Sequence, residues 1–364
     1  MAFLNIYLAD HGYSGSQIGI IGAGYQGAIF FASPFMGVLS DKYGIKKIIL
    51  VLLSVSVILL LFYTKVNFFL LLFFYTFLLA SMSQSLGALI DSIAISFVRH
   101  TGKSSFGHYR LWGSVGWALA TYLTGMALAV YDADIIFPLA AVVLVLMTIM
   151  IAIYPIDETN SSPIKLSKEN LTELLTNKPV IIFSLLLLLY GIVLAPLNMF
   201  INLYFIDIGG NYEIVGRAFA VQAVAEIPFF FVAMRFVKRC GAEKSILLAM
   251  AVTEIRIVLY IFINDPATAV WVGLGQGFTF SLFLVAIVEY FHNLIPDNLR
   301  ATGQSLLWAF HFGAGVTIGN LLIGYLYDLT GMIHVMQLSG ISILIVSVLF
   351  LIFSRHMQKR IPEQ

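Results

Sequence analysis

The sequence predicts an all-α integral membrane protein, built as two pseudo-symmetric six-helix bundles with about eleven full spans and an incomplete first one. Three observations lead there. First, the 364 residues are 60% hydrophobic and 11% charged, with a mean hydropathy of +0.94. Soluble domains carry ~25% charged residues, so this chain cannot cover a folded surface with polar groups, and a bilayer is its natural solvent. Second, apolar runs long enough to cross a hydrocarbon core, about 20 residues each, recur along the whole chain. Third, the chain aligns with itself.

The apolar runs lie near 17–39, 47–64, 68–98, 108–131, 135–154, 179–206, 214–237, 245–263, 267–293, 300–327 and 333–354. A further fragment, residues 1–9, is too short to cross. Most linkers are brief and polar. The exception is Pro155–Lys178, which holds Asp157, Glu158, Lys165, Lys168, Glu169, Glu173 and Lys178. It reads as a solvated connector between an N-terminal bundle, 1–154, and a C-terminal bundle, 179–364.

Orientation follows from lysine and arginine, which stay on the cytoplasmic side in short loops. If the turn at Gly37–Lys47 is inside, seventeen Lys and Arg fall on that side and only Lys65 and Arg217 on the other. The connector and the C-terminus are then cytoplasmic. Arg256 remains, inside a span.

A shift of 197 residues lays Phe3-Leu4-Asn5-Ile6-Tyr7-Leu8 on Phe200-Ile201-Asn202-Leu203-Tyr204-Phe205. It also lays Asp10 on Asp207, Gly12 on Gly209, Gly19 on Gly216, Gly44 on Gly241 and Lys47 on Lys244. Near-equal shifts pair Asp91 with Glu289, and Gly125 with Gly324. Matched Asn, Tyr, Asp and Gly are not what chance similarity between apolar segments produces. Parallel repeats of this kind are a transporter plan. Val180–Met199 has no counterpart before Phe3, so about 20 residues of a first span are expected to be missing.

Other classes are disfavoured. A formal net charge of +1 gives no bulk case for nucleic acid. The single Cys240 excludes an internal disulfide framework and a multi-cysteine metal site. There is no nucleophile elbow, phosphate loop or paired-metal spacing, so neither an enzyme nor a cofactor is expected.

Gly37-Val38-Leu39-Ser40-Asp41-Lys42-Tyr43-Gly44-Ile45-Lys46-Lys47 reads as a wet turn in which two glycines let the chain reverse. It resembles the signature loop of the major facilitator superfamily. Tyr109-Arg110-Leu111-Trp112-Gly113 and Leu299-Arg300-Ala301-Thr302-Gly303-Gln304 look like the branch that holds phenylpropionate permease, lactose permease and nucleoside–proton symporters. The resemblance implies a 12-helix carrier that alternates access, usually driven by protons. It makes Gly37, Asp41, Lys42, Gly44 and Lys47 inner-gate residues. The matching loop, Val237–Lys244, has lost the acid at the Asp41 position.

Charge inside hydrocarbon costs several kcal/mol, so each intramembrane ion needs a reason. Glu226 sits 12 residues into its run, roughly 18 Å deep at 1.5 Å per residue. Arg256 is expected to pair with it across two helices, either for proton coupling or as a static bridge. Glu254, two residues from Arg256, projects elsewhere. Gln304, Trp308, His311 and Gly315 fall at helical spacing, either as a cavity wall with His311 relaying a proton or as a packing stripe. Asn198, beside Pro196, is a substrate candidate, whereas Asn202 repeats as Asn5 and suggests a symmetric structural role. Asp91 is expected near the inner mouth, against Arg110.

The expected function is import of a small organic solute with protons, by a monomer in a bacterial inner membrane. Efflux, uniport or a truncated protein that transports nothing are the alternatives.

Overall fold

A computed structural model of the chain describes residues 2–101, 106–153, 173–295 and 299–358. Among the described residues the regular structure is helical throughout. The N-terminal half holds α1 (Leu4–Asp10), α2 (Gly15–Tyr43), α3 (Ile45–Phe62), α4 (Phe69–Thr101), α5 (Phe106–Leu128) and α6 (Ile136–Ile153). The second half begins with α7 (Lys178–Val193), α8 (Ala195–Asn198) and α9 (Ile201–Asp207). It continues through α10 (Tyr212–Cys240), α11 (Ala242–Phe262), α12 (Pro266–Val272) and α13 (Leu274–His292). Helix α14 (Arg300–Trp308) passes through a π-helical segment, Ala309–Gly315, into α15 (Val316–Gln358). Helix α15 is broken at Gly331, where φ is 76° and ψ is 168°.

Seven helical stretches among the described residues are long and apolar enough to cross a membrane. Their outer faces carry large apolar side chains such as Phe62, Ile153 and Phe262, all more than half exposed. A monomer in water rarely shows apolar patches of that extent; lipid covers them.

The 197-residue repeat is present in the backbone. Leu4–Asp10 and Ile201–Asp207 are both 7-residue helices, and Gly15–Tyr43 and Tyr212–Cys240 are both 29-residue helices. Gly12 and Gly209 have φ of 77° and 88°, and Gly44 and Gly241 have φ of 93° and 85°. Only glycine enters that region without strain, so the repeated glycines mark where each half needs the same turn.

One expectation is corrected here. The stretch 37–47 is not a loop hinged on two glycines. Helix α2 continues through Gly37 to Tyr43, and the chain reverses at Gly44 alone. The partner turn keeps the same conformation at Gly241, so its decay in charge is not a decay in shape. Lys42 lies over the Tyr43 ring at 5.1 Å, and Lys46 Nζ donates to Ala152 O at 3.0 Å. The side chains of Asp41 and Arg110, and residues 155–172 of the connector, lie outside the described residues.

The halves meet where glycines face each other. A Cβ on Gly216 would stand 2.8 Å from Gly125 Cα, and one on Gly19 would stand 3.1 Å from Gly324 Cα. Helix α10 therefore crosses α5 just as α2 crosses α15, with backbones in contact. At the end that carries Gly12 and Gly209, reciprocal hydrogen bonds add to this. Asn5 Nδ2 donates to Met199 O at 2.5 Å, and Asn202 Nδ2 donates to Ala2 O at 3.1 Å. The symmetric role expected for Asn5 and Asn202 takes this form. Asp328 accepts from the Gly15 and Ser16 backbone N–H at 2.5 and 2.7 Å, capping α2 across the interface. The Tyr212 hydroxyl donates to Asp10, and the Tyr327 hydroxyl donates to Asp207 at 3.0 Å.

Candidate functional site

A cavity of about 220 Å³ is lined by the second half of the chain together with Gln26 of the first. Helix α2 contributes Gln26, α7 contributes Tyr190, and α8 contributes Asn198. Arg256 and Thr253 come from α11, and Gln276, Thr279, Phe280 and Phe283 from α13. His311 and Phe312 come from the π-helical segment. Its lining combines polar side chains with aromatic ones.

Arg256 is buried at 4% exposure. It lies flat against α13 because Gly275 lacks a side chain: a Cβ there would stand 2.7 Å from Arg256 Cδ. Its Nη1 donates to Thr279 Oγ1 at 3.0 Å, and that hydroxyl donates to Gly275 O at 3.0 Å. Nε makes no hydrogen bond. The expected partner is not there. Among the described residues no ion pair joins Glu226 to Arg256, and Glu226 is not one of the cavity residues. The threonine one helix over takes that place. Glu254 projects away, as its spacing predicts, toward Gly340 of α15.

His311 is buried at 2% exposure, and its Nδ1 lies 2.8 Å from Leu187 O. A carbonyl only accepts, so Nδ1 carries the proton and leaves Nε2 as the acceptor of the neutral ring. The ring stacks on Tyr190, with centroids 5.9 Å apart and an interplanar angle of 15°. Tyr190 in turn donates to Thr253 Oγ1 at 3.2 Å. Close approach of α7 is possible because Gly191 and Gly315 face each other: a Cβ on Gly191 would stand 3.2 Å from Gly315 Cα. From the other half, Gln26 Nε2 donates to Phe312 O at 3.0 Å, linking α2 to the same segment.

Of the sequence candidates, Arg256, His311 and Asn198 meet at this cavity. Gln304 and Trp308 do not. The π-helical segment breaks the 3.6-residue register on which their common face depended, and both side chains are exposed. Trp308 stacks on Phe312, with ring centroids 4.4 Å apart. Asp91 is partly buried and Glu289 is exposed, and neither lines the cavity. Sequence reading missed Thr279, Gln276, Tyr190, Thr253 and Gln26 because it weighed charge. The available signal was Gln276 and Thr279, neutral polar residues three apart on one face of an apolar run.

The chain is similar to proteins of one kind. The MFS_1 like family matches residues 1–338. The uncharacterized transporter YwbF of Bacillus subtilis (strain 168) is 26% identical over 93% of this chain and 85% of its own length. The maltose permease of Geobacillus stearothermophilus is 29% identical over 89% of this chain and 82% of its own. The crystal structure of the nucleoside transporter NupG, at 17% identity, covers 97% of this chain and 94% of its own with a TM-score of 0.84, and that of a mutant form reaches 0.88. The fold, the membrane-crossing helices and the family match lead to one statement: the chain belongs to the MFS_1 like family of the major facilitator superfamily, whose members are membrane transporters and not enzymes.

Proposed function

We propose that the chain is a secondary carrier that imports a small organic solute with protons, by alternating access around the Arg256–His311 cavity. The observation that carries the proposal is the cavity itself. It takes Gln26 from one half and Arg256, His311 and the rest of its lining from the other, so polar side chains of both halves meet there.

In this reading residues 1–154 and 179–364 are two six-helix bundles that rock about the glycine crossings, joined by a cytoplasmic linker at 155–178. The Gly44–Gly241 end faces the cytoplasm of a bacterial cell, because the lysines and arginines cluster there. The Asn5–Asn202 end faces outward and is closed. Asp41, Lys42, Lys47, Asp91 and Arg110 guard the inner mouth. Arg256 and Asn198 hold the solute, His311 accepts the proton at Nε2, and Glu226 is a second proton site. The carrier works as a monomer.

The test is uptake of labelled solutes into proteoliposomes under an imposed pH gradient, acid outside. Gradient-dependent accumulation is expected. Uptake indifferent to the gradient rejects proton coupling. Release from preloaded vesicles against the solute gradient, without uptake, makes the carrier an exporter.

A further inference from the structure

We infer that the solute is a small monoanion, a carboxylate on a ring-sized apolar body, held by Arg256. The inference rests on the carrier reading and names its substrate class.

Arg256 carries an uncompensated charge. A buried cation needs a counter-charge or a hydrogen-bonded partner for every donor, and a guanidinium does not deprotonate in proteins. Arg256 has one neutral acceptor, the Thr279 hydroxyl, while Nε makes no hydrogen bond and neither does the neighbouring Tyr260 hydroxyl. No residue that lines the cavity is acidic. Among the described residues no ion pair includes Arg256. Glu254, the nearest acid in sequence, lies against α15 instead. The site is therefore a fixed positive charge in a low-dielectric pocket, complete only when an oxyanion arrives.

Geometry and count narrow the anion. A guanidinium fork matches a carboxylate through two parallel hydrogen bonds. One arginine balances one charge, and the cavity has no lysine or second arginine for a dianion such as a phosphate monoester. The lining also holds Phe280, Phe283, Phe312 and Tyr190. The volume of about 220 Å³ exceeds the ~150 Å³ that holds a benzene ring. The amides of Gln26, Gln276 and Asn198 complete the polar rim and set orientation.

The experiment is calorimetric binding to the purified full chain of benzoate, cyclohexanecarboxylate, neutral benzamide and phenyl phosphate. Both carboxylates are expected to bind at one competing site, with benzamide about thirtyfold weaker or worse, as for loss of one member of a buried charge pair. Arg256→Gln should lose benzoate by a similar factor and, with its uncompensated charge gone, unfold at a higher temperature when ligand-free. Arg256→Lys should keep part of the affinity. Benzamide equal to benzoate, unchanged benzoate binding in Arg256→Gln, silent carboxylates, or phenyl phosphate binding tightest would each overturn the inference. If Arg256→Gln fails to fold, the benzoate–benzamide comparison on the wild-type chain decides. Carboxylate binding without carboxylate uptake into liposomes would uphold the site and defeat the carrier reading. Uptake of a neutral solute with carboxylates inert would do the reverse.

Discussion

Replacing Gly216 by valine tests the way the halves touch. In this structure a Cβ at this position stands 2.8 Å from Gly125 Cα and 2.8 Å from Thr121 O. Non-bonded carbons rest at about 3.5–4.0 Å, so α10 and α5 must part by roughly 0.7–1.2 Å. Both near atoms are backbone, and no rotamer change relieves them. Overpacking of this kind costs about 1–3 kcal/mol. The cost applies only to the conformer in which the helices cross, so it shifts the equilibrium roughly 5- to 150-fold toward the other one. The assay is alkylation of a cysteine placed at Asn198, on the cavity wall, by an impermeant maleimide added to intact right-side-out vesicles in a Cys240→Ser background. Gly216→Val should raise the labelling rate at Asn198→Cys several-fold. Gly19→Val should act likewise through α2 and α15, because Gly19 faces Gly324 in the repeated crossing. Labelling that stays at the wild-type rate in both variants would refute the crossing as the point of closure.

Three further outcomes follow from the same contacts. Asn5→Ala and Asn202→Ala each remove one inter-half hydrogen bond, about 0.5–1.5 kcal/mol apiece, and should each speed the same labelling by a similar factor. His311→Gln should cut uptake driven by a pH gradient to the level seen without a gradient, measured in proteoliposomes. Gly44→Ala and Gly241→Ala each force a left-handed backbone on a residue with a Cβ, at about 1–2 kcal/mol. Thermal unfolding in detergent should fall by equal amounts in the two, since the turns are alike at φ 93° and 85°.

Much of the architecture was legible because hydrocarbon permits few solutions. A chain with 11% charge and long apolar runs must fold as helices. The shift of 197 residues reappears in the structure, where helix Leu4–Asp10 maps onto helix Ile201–Asp207. The turn at 37–47 was misjudged for a local reason. Its polar residues sit on a helix that extends past the apolar run into the aqueous layer, where Asp and Lys are as welcome as in a loop. The site was half legible. Arg256 and His311 announce themselves as ionisable residues in an apolar run, but their partners do not. Pairing Arg256 with Glu226 assumed that charge seeks charge, whereas the fold places a threonine beside it. The π-helical segment at Ala309–Gly315 has no sequence period of its own, so Gln304 and Trp308 were assigned to the face of His311 by a register that ends at Trp308.

The central claim is that the Arg256–His311 cavity is where this chain binds what it carries. The direct measurement is uptake of radiolabelled benzoate into proteoliposomes bearing wild-type chain or Arg256→Gln, with an acid-outside gradient. Accumulation by the wild type that collapses in Arg256→Gln is the predicted result. Equal accumulation by both would contradict the account.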